Sequence, residues 1–286
     1  MEKERTNPVR KRPVRRENLT GHYLFLGLFS LLILAPFTWT VFNSLKSRDQ
    51  FIQEPGAFPN PVLFRNYANA FKSVNFPNLF KNSFFFSSVS VLGALAVTAL
   101  AAYVLARYRF RINKFVYTYF LMGMMIPLNA AIIPLFLGLR NMGLTNTYQG
   151  VIIPYITFQI PMGVFLLTNY MKLIPMEFEE SALMDGCSAL RLFARIIMPL
   201  SRPILATFAI ISFMGLWNEF LFALVFLTGE KFYTIPLGLA TFRGQYDTNT
   251  TVMLAGTVIS IVPTLVIYIA LRNNIIKGLT SGAIKG

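Results

Sequence analysis

The sequence has almost none of the residues that carry enzyme and metal chemistry. Its 286 residues include one cysteine, Cys187, and one histidine, His22. A single cysteine excludes an internal disulfide framework, and this pair offers no His/Cys metal site. A Ser/His/Asp triad is also unsupported, because His22 stands alone beside the first apolar run. We therefore expect neither catalytic residues nor a bound metal.

Nucleotide-binding and charge signals are also scarce. The chain contains no G-x-x-x-x-G-K-[ST] phosphate loop, so we expect it to bind no nucleotide cofactor itself. Charged residues make up 13% of the chain and hydrophobic residues 55%, whereas a soluble domain has about 25% charged residues. This composition indicates a membrane protein with little soluble mass.

The apolar residues lie in blocks of about 20 residues, the length of helix that crosses a hydrocarbon layer of about 30 Å. The sequence therefore predicts an all-α, polytopic transmembrane protein with a basic segment (1–20), a six-helix domain (21–272) and a tail (273–286). Pro127 and Pro134 predict a kink or a break in the third span. The predicted spans are 21–43, 82–106, 114–138, 148–171, 201–228 and 251–271.

The distribution of basic residues predicts the orientation of these spans. The net charge of +14 alone would permit a nucleic-acid partner. However, segments 1–20, 107–114, 172–202 and 272–285 hold seven, four, four and three Lys or Arg residues, which leaves eight of the 26 elsewhere. These four segments share one side of a six-span protein. The positive-inside rule then places both termini in the cytoplasm, and we expect no nucleic-acid partner.

The loop between the fourth and fifth spans contains the chain's densest charge. EESALMDGCSALRLFARIIMPL (179–200) and the preceding Glu177 include six charged residues, each costing about 2.5–3.5 kcal/mol at a bilayer centre. The loop must therefore lie in water or against a protein. Pro175 suits a first helical position, and Gly186 suits the left-handed residue that ends a helix. We predict one helix over 175–185.

A second short helix should follow, capped by Ser188 and ending at Pro199. Its apolar residues recur at helical spacing and predict an exposed stripe that meets a partner, although a solvated loop remains the alternative. The stripe comprises Ala189, Leu192, Phe193 and Ile196.

Several segments resemble one transporter family. Glu180-Ser181-Ala182, followed by Gly186 and then Ile197-Met198-Pro199, resembles the EAA loop of binding-protein-dependent ABC importers, with Ser181 and Met198 as mild departures. FPNPVLFRNYANAF (58–71) is similar to the segment after the first span in the sugar branch. LWNEF (216–220) and GLTSGAIKG (278–286) are similar to the smaller, MalG-like permease subunit of maltose-like importers.

The resemblance implies a type I importer permease in the bacterial inner membrane, serving an ATP-driven importer of sugars, and of oligosaccharides in particular. The implied partners are a second, non-identical permease, a cytoplasmic ABC ATPase dimer that binds ATP and Mg, an extracytoplasmic solute-binding protein, the sugar and membrane lipid. The loop, 175–199, would couple to the ATPase. Its expected coupling residues are Glu180, Ser181, Ala182, Asp185, Gly186, Leu192, Phe193, Ile196 and Pro199.

Two further sets of residues are weaker candidates. Asn218, Glu219, Gln159 and Asn129 are candidates for the translocation path, because an ionisable or polar group inside a span is functional by default. Glu219 could equally bond within the helix bundle. Phe232, Tyr233, Phe242 and Tyr246 are candidates for contact with the binding protein, or they form an ordinary interfacial aromatic belt.

Two other functional classes remain as alternatives. An ion-gradient-driven secondary carrier would bury several ionisable groups and contain repeated halves, but Glu219 is the only acid inside a predicted span and no repeat is evident. A membrane-embedded enzyme would need paired acids or histidines near one interface. The charged cluster of the loop alternates in sign instead.

Overall fold

The computed structural model describes residues 19–73, 75–245 and 250–283, with side chains except at residues 19, 241–245 and 271–283. The described residues are helical with short connections, and no β-strand occurs among them. The all-α prediction is therefore confirmed. The predicted basic segment, 1–20, lies almost entirely outside the described residues.

The chain folds into fourteen α-helices within the described ranges. Four of them are long and apolar enough to cross a membrane alone, and six spans result if two bent helix pairs each count as one. In chain order they are α1 (Leu19–Ser44), α2 (Arg48–Gln53), α3 (Arg65–Ser73), α4 (Phe76–Arg107), α5 (Asn113–Met122), α6 (Leu128–Asn141), α7 (Tyr148–Met171), α8 (Glu177–Met184), α9 (Ala189–Leu192), α10 (Met198–Leu200), α11 (Arg202–Trp217), α12 (Leu221–Phe226), α13 (Ile235–Gln245) and α14 (Thr250–Ala283).

The predicted third span is broken at a proline. A 3-10 turn, Gly123–Met125, follows α5, and α6 then leaves at an angle of 99°. Ile126 is extended, with ψ 113°, as expected of a residue that precedes proline. Pro127 thus breaks the span as expected, whereas Pro134 lies inside α6 without ending it.

The predicted fifth span, 201–228, is not one helix. It consists of α11 and α12, separated at Asn218–Phe220. No proline or glycine lies in this break, so composition gave no reason to expect it. The carboxylate of Glu219 accepts hydrogen bonds from the backbone N–H groups of Phe222 (2.8 Å) and Ala223 (3.3 Å), which begins a new helix.

The core forms where α4 packs along α7, with α11 against both. Gly163 of α7 permits this close approach. A Cβ atom there would lie 2.5 Å from the methyl carbon of Thr98 on α4 and 2.7 Å from the ring of Phe208 on α11. Both neighbours are fully buried, so neither can move aside cheaply.

Residues 43–73 form a small polar lobe beside the helix bundle. Lys46 is completely buried there, and its Nζ donates hydrogen bonds to the carbonyl oxygens of Glu54 (2.9 Å) and Pro55 (3.0 Å). Asn66 donates from its amide to the carbonyl oxygens of Ser44 and Lys46, both at 2.8 Å. These bonds give the polar residues of segment 58–71 and its neighbours a structural role.

The first and last helices lie side by side. The side chains of α1 are exposed along almost the entire helix, and its main neighbour is α14. The backbone of α14 continues to Ala283. The last helix therefore extends through most of the predicted tail, 273–286, and the assignment of that segment as a cytoplasmic tail stays a prediction.

Candidate functional site

The connection from α7 to α11 contains the two predicted helices and the predicted turn. The first helix, α8, begins at Glu177, two residues after Pro175, which had been expected to occupy the first helical position. The second begins as α9, continues through a π-helical segment at Phe193–Ile197, and ends as α10. A bend of 73° separates this second helix from α11, just after Pro199.

Gly186 adopts the left-handed conformation predicted for it, with φ +74°. Its N–H donates to the carbonyl of Leu183, and the N–H of Cys187 donates to the carbonyl of Ala182, both at 3.0 Å. This pair of bonds is the Schellman motif that closes a helix C-terminus. A Cβ atom at Gly186 would contact nothing within 4 Å, so only backbone strain opposes a larger residue.

Ser188 occupies the N-cap position of α9, with extended backbone dihedrals. Its carbonyl accepts from the N–H of Leu192 at 2.9 Å, but its hydroxyl makes no capping hydrogen bond. The predicted side-chain cap is therefore corrected, and the backbone alone starts this helix.

A buried ion pair fastens α8 to the end of α4. The Nε atom of Arg107 meets a carboxylate oxygen of Glu179, and the two side chains are only 4% and 8% exposed. Arg107 also donates to the carbonyl oxygen of Ile174 (2.9 Å) and to the sulfur of Met176 (3.4 Å). Burial raises the pKa of Glu179 above its ordinary value, and the Arg107 guanidinium partly opposes that rise.

Sequence reasoning missed this ion pair, because 72 positions separate its two residues. The only available signals were an arginine at the predicted end of the second span and a glutamate directly before Glu180. Neither residue stood out, since both lie in segments where charge was expected.

The predicted docking stripe faces the chain's own core. Leu192 is 1% exposed and packs with Leu167 and Phe208, while Phe193 and Ile196 are half-buried against the same cluster. Leu192 is therefore unavailable to a partner and joins the loop to the bundle, whereas Ala189 is exposed. Contact between the rest of the stripe and a partner stays a prediction.

Other apolar residues of the loop point outward. Met184 is 88% exposed and Leu190 is 74% exposed, and Leu183 is also exposed. Glu180 and Asp185 are exposed beside them. We call these five residues, Glu180, Leu183, Met184, Asp185 and Leu190, the turn surface.

The remaining predicted coupling residues differ in their exposure. Ala182 is buried in the core cluster, and Pro199 is half-buried. The Ser181 hydroxyl is exposed and donates to the carbonyl of Glu177 at 2.7 Å.

Two candidate path residues take part in polar links between α7 and the fifth span. The hydroxyl of Tyr155 donates to Glu219 at 2.5 Å. One turn along α7, the side-chain oxygen of Gln159 accepts from the hydroxyl of Ser212 at 2.9 Å. With its two backbone bonds, Glu219 has a structural role within the bundle, which was the alternative left open for it.

The other two candidate path residues are exposed. Asn218 bonds only its own helix, through the carbonyl of Met214 at 2.8 Å, and Asn129 begins α6 with an exposed side chain. Exposure leaves both available to a solute, but nothing in the geometry selects them for one.

The aromatic candidates for binding-protein contact lie on a segment that is fixed to α4. Asn82 donates to the carbonyl oxygens of Lys231 (2.8 Å) and Tyr233 (3.0 Å). The ring of Phe232 packs edge-on against Tyr148 at 5.0 Å, and both Phe232 and Tyr233 are half-buried. The side chain of Phe242 and all of Tyr246 lie outside the described residues.

This arrangement occurs in a known family. Residues 94–274, from α4 into α14, match the sequence profile described as "Binding-protein-dependent transport system inner membrane component". A putative ABC transporter permease of Caldicellulosiruptor sp. (strain Rt8B.4) is 34% identical over 95% of this chain and 98% of that protein. The trehalose/maltose transport system permease MalG of Thermococcus litoralis is 31% identical over 96% of this chain and all of that protein.

A solved structure extends the likeness to three dimensions. The crystal structure of a bacterial ABC transporter involved in the import of the acidic polysaccharide alginate includes a chain that superposes with a TM-score of 0.79. It is 26% identical and covers 92% of this chain and 99% of that one. The present chain is a multi-pass protein of the inner membrane, and it belongs to the family of binding-protein-dependent transport system inner-membrane components.

Proposed function

We propose that this chain is one of two non-identical permease subunits in an ATP-driven, binding-protein-dependent importer of oligosaccharides. Its relative from Thermococcus litoralis is named for trehalose and maltose, and its structural neighbour is described as importing alginate. All of these are carbohydrates, which supports a sugar as the cargo. ATP and Mg bind the partner ATPase, and the chain itself holds no cofactor.

The observation that carries this proposal is the construction of the loop between α7 and α11. Its tip is a fixed turn with an exposed face, where Met184 and Leu190 stand beside the acids Glu180 and Asp185. An exposed apolar patch rimmed by charge is typical of a surface that meets another protein. The turn surface, instead of the inward-facing stripe, therefore docks in a groove on a cytoplasmic ATPase.

The base of the loop would transmit force to the membrane helices. Arg107 joins α8 to the end of α4, while Leu192 and Ile197 are buried with residues of α4, α7 and α11. When the two ATPase subunits close on nucleotide, a displacement of the turn surface moves these helices as one body. The ATPase thereby favours the outward-open over the inward-open state through contacts that differ between the two states.

The same proposal gives roles to the other candidates. Both termini and the loop face the cytoplasm, and the segment around Phe232 and Tyr233 faces the solute-binding protein on the outer side. Asn218 and Asn129, which are exposed, are better placed to meet the sugar than Glu219, whose carboxylate already accepts three hydrogen bonds.

Cross-linking tests the docking surface directly. Met184→Cys and Leu190→Cys are introduced separately into a Cys187→Ala chain, and Leu192→Cys serves as the buried control. We expect the first two variants to form a cross-link with an ATPase in native membranes and the control to form none. A cross-link only from Leu192→Cys, or none from any variant, contradicts the proposal.

Transport measurements test coupling. Gly186→Val forces a β-branched residue into a left-handed conformation, whereas asparagine adopts it readily. We expect Gly186→Val to keep the complex assembled but to lose sugar uptake, while Gly186→Asn retains uptake. Normal uptake by Gly186→Val would refute the coupling role. Uptake that needs an ion gradient and not ATP would favour a secondary carrier instead.

A further inference from the structure

A groove of about 560 Å³ runs along the surface from the last two turns of α4 to the second helix of the loop. Leu100 and Val104 of α4 line it together with Leu190 and Phe193 of the loop. Arg109, just beyond the end of α4, also lines it. The groove is therefore apolar along most of its length and cationic at one place.

The floor of the groove is held by aromatic contacts. The ring of Tyr103, which is buried, lies 5.1 Å from the ring of Phe193 and 5.8 Å from that of Tyr108. Aromatic pairs at these separations fix one another's orientation. The groove is thus a formed feature of the fold, shared between α4 and the loop.

The basic residues beside the groove have no counterion in the described part of the chain. Arg109, Arg111 and Lys114 are exposed, and none of them makes a hydrogen bond or an ion pair with another described residue. Arg107, in the same short stretch, differs because Glu179 neutralises it. Arg109 lines the apolar groove, and Arg111 and Lys114 follow it within five residues of the chain. The groove is therefore complementary to a molecule with an anionic head and a hydrocarbon body.

The apolar lining of the groove favours a lipid over a soluble protein. Leu100 and Val104 are exposed on α4, a helix that is long and apolar enough to cross a membrane. Exposed apolar side chains on such a helix contact the acyl chains of a bilayer, whereas a soluble protein docks on surfaces that lie in water.

We infer that this groove binds an anionic phospholipid, with its phosphate at Arg109 and an acyl chain along Leu100 and Val104. The binding does not depend on the transport function proposed above. Because Phe193 belongs to the loop, the bound lipid contacts both the loop and α4. The fit of the loop against the bundle then depends on the anionic lipid content of the membrane.

Photo-cross-linking tests the site in the full-length chain, purified with whatever partners accompany it. The protein is reconstituted in nanodiscs of phosphatidylcholine that contain a trace of phosphatidylglycerol with a photoreactive acyl chain. A phosphatidylcholine probe with the same acyl chain is used in parallel. Labelled peptides are then identified by mass spectrometry, with Arg109→Gln as the test variant and Arg195→Gln as the control.

We expect the phosphatidylglycerol probe to label the peptides that contain Leu100–Val104 or Leu190–Phe193, and to label them more than the phosphatidylcholine probe does. In the Arg109→Gln variant, the removal of one cation should lower labelling by the phosphatidylglycerol probe about fivefold. Arg109→Lys should restore it, and Arg195→Gln, an exposed cation of the same loop outside the groove, should leave it unchanged.

Three results would overturn the inference. Equal labelling by the two probes would mean that the groove has no preference for an anionic head. An equal loss of labelling in Arg109→Gln and Arg195→Gln would mean that only the general surface charge matters. Absence of labelling in the wild-type protein, with a co-purified protein cross-linked at Leu100 instead, would mean that a protein covers the groove.

Discussion

Removal of Arg107 should release the loop from the end of α4. In an Arg107→Met variant, the carboxylate of Glu179 keeps its buried position but loses its counterion, and the hydrogen bond to Ile174 is also lost. Breaking a buried ion pair from one side costs about 3–5 kcal/mol. We expect the free energy of opening α8 to fall by about 3 kcal/mol. This is the lower end of the range, because the carboxyl group left without a counterion can take up a proton.

Hydrogen exchange measures this free energy locally. The amides of Glu179, Glu180 and Asp185 are hydrogen-bonded within the loop, so they exchange only when α8 opens. A change of about 3 kcal/mol corresponds to a roughly 150-fold faster exchange. The control is Arg111→Met, which removes an exposed arginine from the same stretch and should leave these rates unchanged.

The pH dependence gives an independent check with a fixed sign. Burial raises the pKa of Glu179, and Arg107 is the group that opposes this rise. Without Arg107 the carboxyl group therefore binds its proton more tightly in the closed loop than in the open one. The stability of the variant loop should rise as the pH falls through that raised pKa, and the loss should be greatest at high pH.

A second substitution tests the same reasoning. Because burial already disfavours the ionised form of Glu179, Glu179→Gln should cost less than Arg107→Met. The double variant Arg107→Met/Glu179→Met should recover most of the loss, since two apolar side chains replace the pair. The argument would be refuted if amide exchange were as fast in the double variant as in Arg107→Met. Equal exchange rates in Arg107→Met and Arg111→Met would also refute it.

Three further substitutions have expected effects on stability, the first two measured by thermal unfolding in detergent and the third by proteolysis. Gly163→Ala places a methyl group against two buried side chains and should cost about 1–3 kcal/mol, whereas Gly138→Ala, in open space on α6, should cost nothing. Glu219→Gln weakens charge-assisted hydrogen bonds to α12 and should cost about 1.5–3 kcal/mol. Lys46→Met leaves two carbonyl oxygens without their donor, so proteolysis should cut the 43–73 lobe faster than in the exposed control Lys72→Met.

The spans and the glycine turn were predictable because local chemistry determines them. The bounds predicted for the fourth span, 148–171, coincide with those of α7. Pro127 breaks the third span, since it removes a backbone donor and keeps the preceding Ile126 extended, although Pro134 ends no helix. Gly186 takes the left-handed conformation for a similarly local reason.

The burial of the loop and its ion pair could not be predicted, because they depend on contacts between distant parts of the chain. Helical spacing identified an apolar stripe on the second helix of the loop, but spacing does not tell whether such a stripe faces a partner or the protein's own core. The burial of Leu192 is decided by α7 and α11. The ion pair of Arg107 with Glu179 likewise exists only after the fourth span returns the chain to the end of the second.

The position of α1 has a consequence for how the protein is made. Its main neighbour, α14, begins about 200 residues later in the chain. At a ribosomal rate of about 5–20 residues per second, α1 therefore resides in lipid for about 10–40 s before that neighbour exists. A helix with this history must be a self-sufficient membrane anchor. It contains no Asp, Glu, Lys or Arg, which suits it for insertion by the translocon before any other helix is present to shield a charged face.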